Sequence, residues 1–179
     1  MIIRLLGRQD QLANLIPSCS EFIAAHAAQS KLPWSPMRDL SPNAQLVSDI
    51  FDELTKGNGK PFWEACHDDV VWRTIGQGSW SGEFAGKQTV IDEVFRPLNR
   101  ALAERATVPT RIIDGVDVIV VQAIGKNLTR DGQRYDNDYV FVTHFEQGKI
   151  VRYEEYCDTE LIARVLPDRV AAKSIAVSN

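Results

Sequence analysis

Asp136-Asn-Asp-Tyr-Val-Phe-Val-Thr-His-Phe-Glu-Gln-Gly-Lys-Ile-Val-Arg-Tyr-Glu-Glu-Tyr-Cys-Asp158 reads as two long β-strands around one short turn. Glu146-Gln147-Gly148 has the form of a three-residue hairpin loop, with glycine at the position that needs a left-handed backbone. Such a loop sets Phe145 opposite Lys149. The register then pairs Thr143 with Val151, Phe141 with Tyr153, Tyr139 with Glu155 and Asn137 with Cys157. Side chains alternate along a strand, so these residues share one face, which is mostly apolar and aromatic with a single carboxylate, Glu155, in it. The other face carries Asp136, Asp138, Arg152, Glu154, Tyr156 and Asp158 beside Val140, Val142 and Ile150, and is expected to meet solvent or a partner subunit.

A second hairpin feeds the first. Thr129-Arg-Asp-Gly-Gln-Arg134 contains Asp-Gly, a strong two-residue turn signal that would pair Arg130 with Gln133. Continued outward, that register sets Lys126 opposite Asn137, Ile124 opposite Tyr139 and Gln122 opposite Phe141. It adds Gln122, Ile124, Lys126 and Val120 to the inner wall. Asp114-Gly115 proposes a fourth strand by the same logic, giving an antiparallel meander over most of the second half. A bulge anywhere would flip the faces beyond it.

With 179 residues, 44% hydrophobic and 25% charged, the chain suits one globular domain with an appendage. A net charge of -4 without a clustered basic face argues against nucleic acid as the main partner, since neutralising phosphates requires a Lys/Arg patch. The three cysteines, Cys19, Cys66 and Cys157, are odd in number and widely spaced, which suggests neither a disulfide framework nor a zinc site and fits a reducing cytoplasm. No signal-peptide pattern occupies residues 1–29, and no stretch approaches the roughly 20 apolar residues of a membrane span. Export and membrane insertion are not expected.

Leu12, Leu15, Ile16, Cys19, Phe22, Ile23 and His26 recur at helical spacing, so residues 1–40 are expected to form a helical extension with a proline-marked linker at Lys31-Leu-Pro-Trp-Ser-Pro36. Ser41-Pro42 reads as the N-cap and first turn of a helix through Leu46, Val47, Ile50, Phe51 and Leu54. Pro61 to Cys66 gives a second helix, and Val70 to Thr74 a strand. Gly76, Gly78, Gly82 and Gly86 form a turn-rich loop that lacks the spacing of a phosphate cradle. Residues 88–103 read as a helix kinked at Pro97, and residues 159–166 as a terminal helix. The folded domain is thus expected over residues 41–167, with a tail at 168–179.

That order of elements, with Trp72 after Asp68-Asp69, the Ser81-Gly-Glu-Phe-Ala-Gly-Lys87 loop and Gly148-Lys-Ile-Val-Arg-Tyr-Glu-Glu-Tyr-Cys-Asp-Thr159, resembles the SnoaL-like group of the nuclear transport factor 2-like superfamily over about residues 43–166. The resemblance implies an α+β cone, a curved antiparallel sheet wrapped around three helices to enclose a hydrophobic pocket. It also implies a homodimer through the outer sheet face, a small apolar or aromatic molecule as ligand, and no metal or organic cofactor. The family's reaction is not set by its fold, which hosts isomerases, dehydratases, epoxide hydrolases, polyketide cyclases and non-catalytic binders. The catalytic set of the ketosteroid isomerases maps onto Ile50, Thr74 and Phe141, and that of the limonene epoxide hydrolases onto Gln122, Ile124 and Glu155, so neither set is retained.

Glu155 is the expected catalytic residue, because a carboxylate among aromatics has its ionised form disfavoured and becomes suited to general acid-base work. Tyr139 is expected to steady developing negative charge. Trp72, Thr74, Gln122, Ile124, Lys126, Asn137, Phe141, Tyr153 and Cys157 are expected to line the substrate site. Two alternatives stand beside this. A one-residue slip would exchange Glu154 for Glu155, and Lys126 would reduce Glu155 to a structural ion pair if it reached it. His144 falls on the outer face and His67 has no evident partner. Two functions remain open: a cofactor-free isomerase, lyase or cyclase, and a non-catalytic ligand-binding or dimerisation module.

Overall fold

The computed structural model describes residues 40–169, so the expected N-terminal helix with Cys19 and His26, its linker and the end of the tail lie outside the described residues. Ser41 opens helix α1 (Pro42–Thr55). Its hydroxyl accepts from the Ala44 backbone N at 3.2 Å, and Pro42, which has no N–H to lose, occupies the first helical turn. Asp114 fixes Ser41 from across the fold, accepting from its backbone N at 2.7 Å and from its hydroxyl at 2.8 Å. Helix α2 (Lys60–Ala65) and strands β1 (Cys66–Thr74) and β2 (Gly82–Ala85) follow.

The helix expected over residues 88–103 is a composite of α3 (Lys87–Val90), a π-helical turn (Ile91–Phe95) and α4 (Arg96–Ala101), and it gives way at Leu102 to a short strand, β3 (Leu102–Glu104). Pro97 explains the π-turn: it has no N–H for the Glu93 carbonyl and its ring would crowd that carbonyl in a regular helix. Arg169 supplies the missing donor, with Nη1 3.3 Å from Glu93 O and 2.8 Å from Glu93 Oε2. The remaining elements are β4 (Thr107–Asp114), β5 (Val118–Gly125), β6 (Leu128–Thr129), β7 (Asp138–Glu146), β8 (Lys149–Cys157) and α5 (Thr159–Val165).

Six strands form one sheet in the order β2-β1-β8-β7-β5-β4, while β3 and β6 pair separately. Every neighbour in the large sheet is antiparallel except β1 with β8, which run parallel. The result is an α+β fold whose sheet curves without closing. Val47, Ile50 and Phe51 of α1 pack with Val70 and Trp72 of β1, Ile119 and Val121 of β5 and Phe141 of β7 in the main core. Trp80, Leu102, Tyr135, Ile162 and Leu166 make a second cluster.

The turns differ from their sequence reading in opposite ways. Between β7 and β8 the loop has two residues, Gln147 (φ 50°) and Gly148 (φ 75°), with Glu146 opposite Lys149 and Phe145 opposite Ile150. That is one step from the expected register. A bulge at Val151 adds a second step, since His144 pairs with Arg152. Two slips restore the original faces: the pairs are Tyr139 with Cys157, Phe141 with Glu155 and Thr143 with Tyr153, and Glu154 points to the other side. Near the turn the correction is local. Ile150, expected outside, is buried, and Val151 is the half-buried bulge residue.

The next hairpin has no such compensation. Its loop is Arg130-Asp131-Gly132, three residues instead of two, because the Thr129 backbone N bonds the Gln133 carbonyl at 2.9 Å and Gly132 (φ 85°) takes the left-handed position. β5 therefore meets β7 with Val121 opposite Phe141 and Ala123 opposite Tyr139. Gln122, Ile124 and Lys126, expected inside, are exposed, and Val120 shares their outward face; Ile119, Val121 and Ala123 hold the inner one. The fourth strand is present, but its turn lies at Val116-Asp117, with the Gly115 N bonded to Val118 O at 3.1 Å.

Candidate functional site

Between the sheet's inner face and helices α1, α2 and α4 lies a cavity of about 90 Å³. Its walls are chiefly aromatic: Phe62 and Trp63 from α2, Trp72 from β1, Phe95 from the π-turn, Phe141 from β7 and Tyr153 from β8. These rings hold one another. Tyr153 stacks on Trp72 at 4.6 Å and 23°, and Phe62 meets Tyr153 edge-on at 5.0 Å. Glu155 lines the same cavity.

Register fixes the neighbours of Glu155. β1 runs parallel to β8 with Trp72 beside Tyr153 and Thr74 beside Glu155. Trp72 Nε1 lies 2.9 Å from Thr74 Oγ1, and Thr74 Oγ1 lies 3.3 Å from Glu155 Oε2. An indole N–H only donates, so the Thr74 oxygen accepts from Trp72 and directs its own hydrogen at the carboxylate. With Oε2 engaged as an acceptor, a proton on the neutral acid belongs on Oε1. Burial pushes the Glu155 carboxyl up to about 7, and the hydrogen bonding from Thr74 and Trp72 draws it partly back. Glu155 as a residue is half-buried and lines the cavity.

Three phenols stand near this acid. Burial raises the Tyr139 hydroxyl well above its usual range, and Tyr135 and Glu155 add to the effect. Tyr153 is raised by burial first and then by the Glu155 charge, and Tyr135 likewise. All three therefore remain protonated hydrogen-bond donors at neutral pH. Arg105, in the link between β3 and β4, also lines the cavity; Nη1 donates to Asn99 Oδ1 at 2.8 Å, and the guanidinium stands 5.7 Å from the Phe95 ring centre.

The expected site residues separate into three groups. Trp72, Tyr139, Phe141, Tyr153 and Glu155 meet at the cavity, with Thr74 bonded to Glu155 just behind its wall. Asn137 and Cys157 point inward without lining it. Asn137 is fully buried and brackets Asp158, and burial raises the Cys157 thiol. Gln122, Ile124 and Lys126 are on the opposite face, which removes Lys126 as a partner for Glu155. His144 shares the outer face with Arg152, and His67 does have a partner, its Nδ1 accepting from Asp69 N at 3.1 Å. Arg105, Tyr135 and Asn127 line the cavity but escaped the sequence reading, because all three sit in connections where strand alternation gives no direction. Among the described residues no group of three His, Cys, Asp or Glu side chains could hold a metal ion, and no helix is long and apolar enough to cross a membrane.

Residues 47–153 match the profile of the SnoaL-like domain. An NTF2-like protein of unknown function from Burkholderia pseudomallei K96243 is similar in structure, with a TM-score of 0.63 and 24% identity over 71% of this chain and 98% of that one. TerC, co-crystallised with polyporic acid, gives a TM-score of 0.60 and 22% identity over 70% of this chain and 98% of its own. A candidate SnoaL-like polyketide cyclase from Jannaschia sp. CCS1 gives 0.59 and 18% over 73% and 97%. At these identities the likeness is one of fold. No curated protein matches the chain in sequence.

Proposed function

Because the chain belongs to the SnoaL-like family, we propose that it binds a small, largely apolar, ring-sized molecule in the Glu155 cavity and moves a proton on it without a bound cofactor, as an isomerase, lyase or cyclase does. The observation that carries this reading is the Trp72–Thr74–Glu155 relay at the wall of an aromatic hollow. A carboxyl held near 7 is divided between acid and base at neutral pH, so Glu155 can take a proton from carbon and return it elsewhere on the same molecule. Tyr139 offers a hydroxyl to the negative charge that develops when the proton leaves. Volume limits the substrate: an apolar cavity of roughly 150 Å³ holds benzene, so about 90 Å³ admits one ring only with small side-chain movements.

Deuterium exchange tests the reading directly. A panel of small enolisable ketones and β-keto acids in D2O should show protein-dependent exchange at the acidic carbon, lost by at least about a hundredfold in Glu155→Gln. Exchange that survives the substitution would sink it. The modest cavity supports a second reading, a non-catalytic binder whose rings chiefly pack the interior. On that reading ligands bind and neither variant nor wild type exchanges. We also assign the outer sheet face, with Val120, Val142, Ile113 and Ile124, to pairing between two copies, for which sedimentation is the check.

A further inference from the structure

Arg105 has a different setting from the other sheltered arginines. Arg152 meets Glu83 at 2.8 Å and Glu154 at 2.9 Å, and Arg169 meets Glu93 at 2.8 Å. Among the described residues no carboxylate lies within ion-pair distance of Arg105, whose contacts are the neutral Asn99 amide and the Phe95 ring. Glu155 lines the same cavity but makes no ion pair with it. Burial draws the Arg105 pKa down, yet a guanidinium does not lose its proton at neutral pH. A fixed positive charge thus faces an aromatic hollow without a carboxylate in ion-pair contact among the described residues.

Leaving a half-buried cation unpaired is costly unless something supplies the opposite charge, and the one carboxyl lining the cavity, Glu155, makes no ion pair with it and is drawn toward its neutral form by burial. We propose that Arg105 selects the ligand's charge: the site takes a ring-sized monoanion, a carboxylate or an acidic enol, with its anionic oxygens on the Arg105 guanidinium and its ring among Phe62, Trp63 and Phe95. The planar fork suits two oxygens on one carbon better than a neutral carbonyl. Pairing at one end leaves the other end of the ring for Glu155. This deepens the reading above and shares its cavity.

Titration calorimetry on the full chain tests it with matched probes: benzoate against benzamide for the carboxylate arm, and 1,3-cyclohexanedione against cyclohexanone for the enol arm. In at least one arm the acid should bind the wild type tenfold or more tightly than its neutral match. Arg105→Gln should abolish that preference, bringing each acid to the affinity of its neutral match, and Arg105→Lys should keep part of it. Equal affinities in the wild type, a preference that survives in Arg105→Gln, or no binding of either acid at millimolar concentration would each overturn the inference. The wild-type comparison stands even if a variant folds poorly. Exchange measured alongside separates the two ideas. Acid preference with exchange unaffected by Glu155→Gln defeats the proton-transfer reading alone, and Glu155-dependent exchange on neutral ketones with no charge preference defeats the Arg105 assignment alone.

Discussion

The indole nitrogen of Trp72 stands 2.9 Å from the hydroxyl oxygen of Thr74, two residues along the same strand, and that one bond settles which way the hydroxyl hydrogen points. Thr74→Val removes both bonds of the relay. The Glu155 carboxyl, which Thr74 holds down, should then titrate above about 7, and the orphaned indole N–H should cost roughly 1–3 kcal/mol of stability. Thr74→Ser keeps the hydroxyl and should keep both properties. The acid-side limb of the pH profile of exchange, where activity rises as Glu155 ionises, reads the first effect and urea denaturation the second; a limb that does not move in Thr74→Val would show that Thr74 does not address the acid.

Glu155 should make the fold weaker as the solution becomes more alkaline. At pH values below the ordinary carboxyl value of 4.5 the group is protonated in both the folded and unfolded chains and carries no penalty. Between 4.5 and about 7 the unfolded chain ionises while the fold still holds its proton, so stability falls until the folded pKa has been passed. The difference amounts to something on the order of 3 kcal/mol, less where water enters the cavity. Glu155→Gln lacks this dependence, so its stability relative to wild type should rise from pH 4 to pH 8. A constant gap across that range would contradict the burial assigned to this carboxyl.

Much of the fold is legible in the residues, but the turns are not. Alternation along residues 138–157 puts Glu155 with Tyr139 on one face, and the observed register does the same by a different route, the shorter turn and the Val151 bulge each contributing one step. A bulge has no signature in Gln147-Gly148-Lys149-Ile150-Val151. At Asp131-Gly132 the strong two-residue signal loses to Thr129, whose backbone and hydroxyl both bond Gln133 and close a longer loop. That single extra residue sends Gln122, Ile124 and Lys126 outward. Arg105 was invisible for another reason. What makes it a candidate is that no carboxylate among the described residues pairs with it, and the lack of such a pair is a tertiary fact.

The β7–β8 turn offers a stability test of the register. Gln147 (φ 50°) and Gly148 (φ 75°) both adopt left-handed backbone, as a type I′ turn demands. A side chain at Gly148 would meet nothing within 4 Å, so Gly148→Ala measures conformational strain alone and should cost about 1 kcal/mol. Gln147→Asn should stabilise by a few tenths of a kcal/mol, since asparagine tolerates this region better. Thermal melts of the two variants check both signs. A destabilised Gln147→Asn would argue for the three-residue loop after all.

Asn137 was read as a site residue, and its surroundings assign it a mechanical task. The side chain is wholly buried; Nδ2 donates to the Asp158 carbonyl at 3.0 Å and Oδ1 accepts from the Asp158 backbone N at 2.8 Å. Asp158 is in turn the cap of α5, with Oδ1 accepting from Glu160 N at 2.9 Å and Leu161 N at 3.1 Å. One amide thus joins the start of β7 to the entry of the last helix. Asn137→Ala leaves the Asp158 backbone N–H without its partner, while the Asp158 carbonyl still accepts from Ile162 N at 3.3 Å, and should cost about 1–3 kcal/mol. Asn137→Asp preserves the shape but replaces the donor with a charged acceptor facing the Asp158 carbonyl, and should cost more at pH 7 than at pH 4, where protonation restores a donor. Urea denaturation of both variants at the two pH values decides the point, and a loss below about 1 kcal/mol in Asn137→Ala would return the residue to the list of ligand contacts.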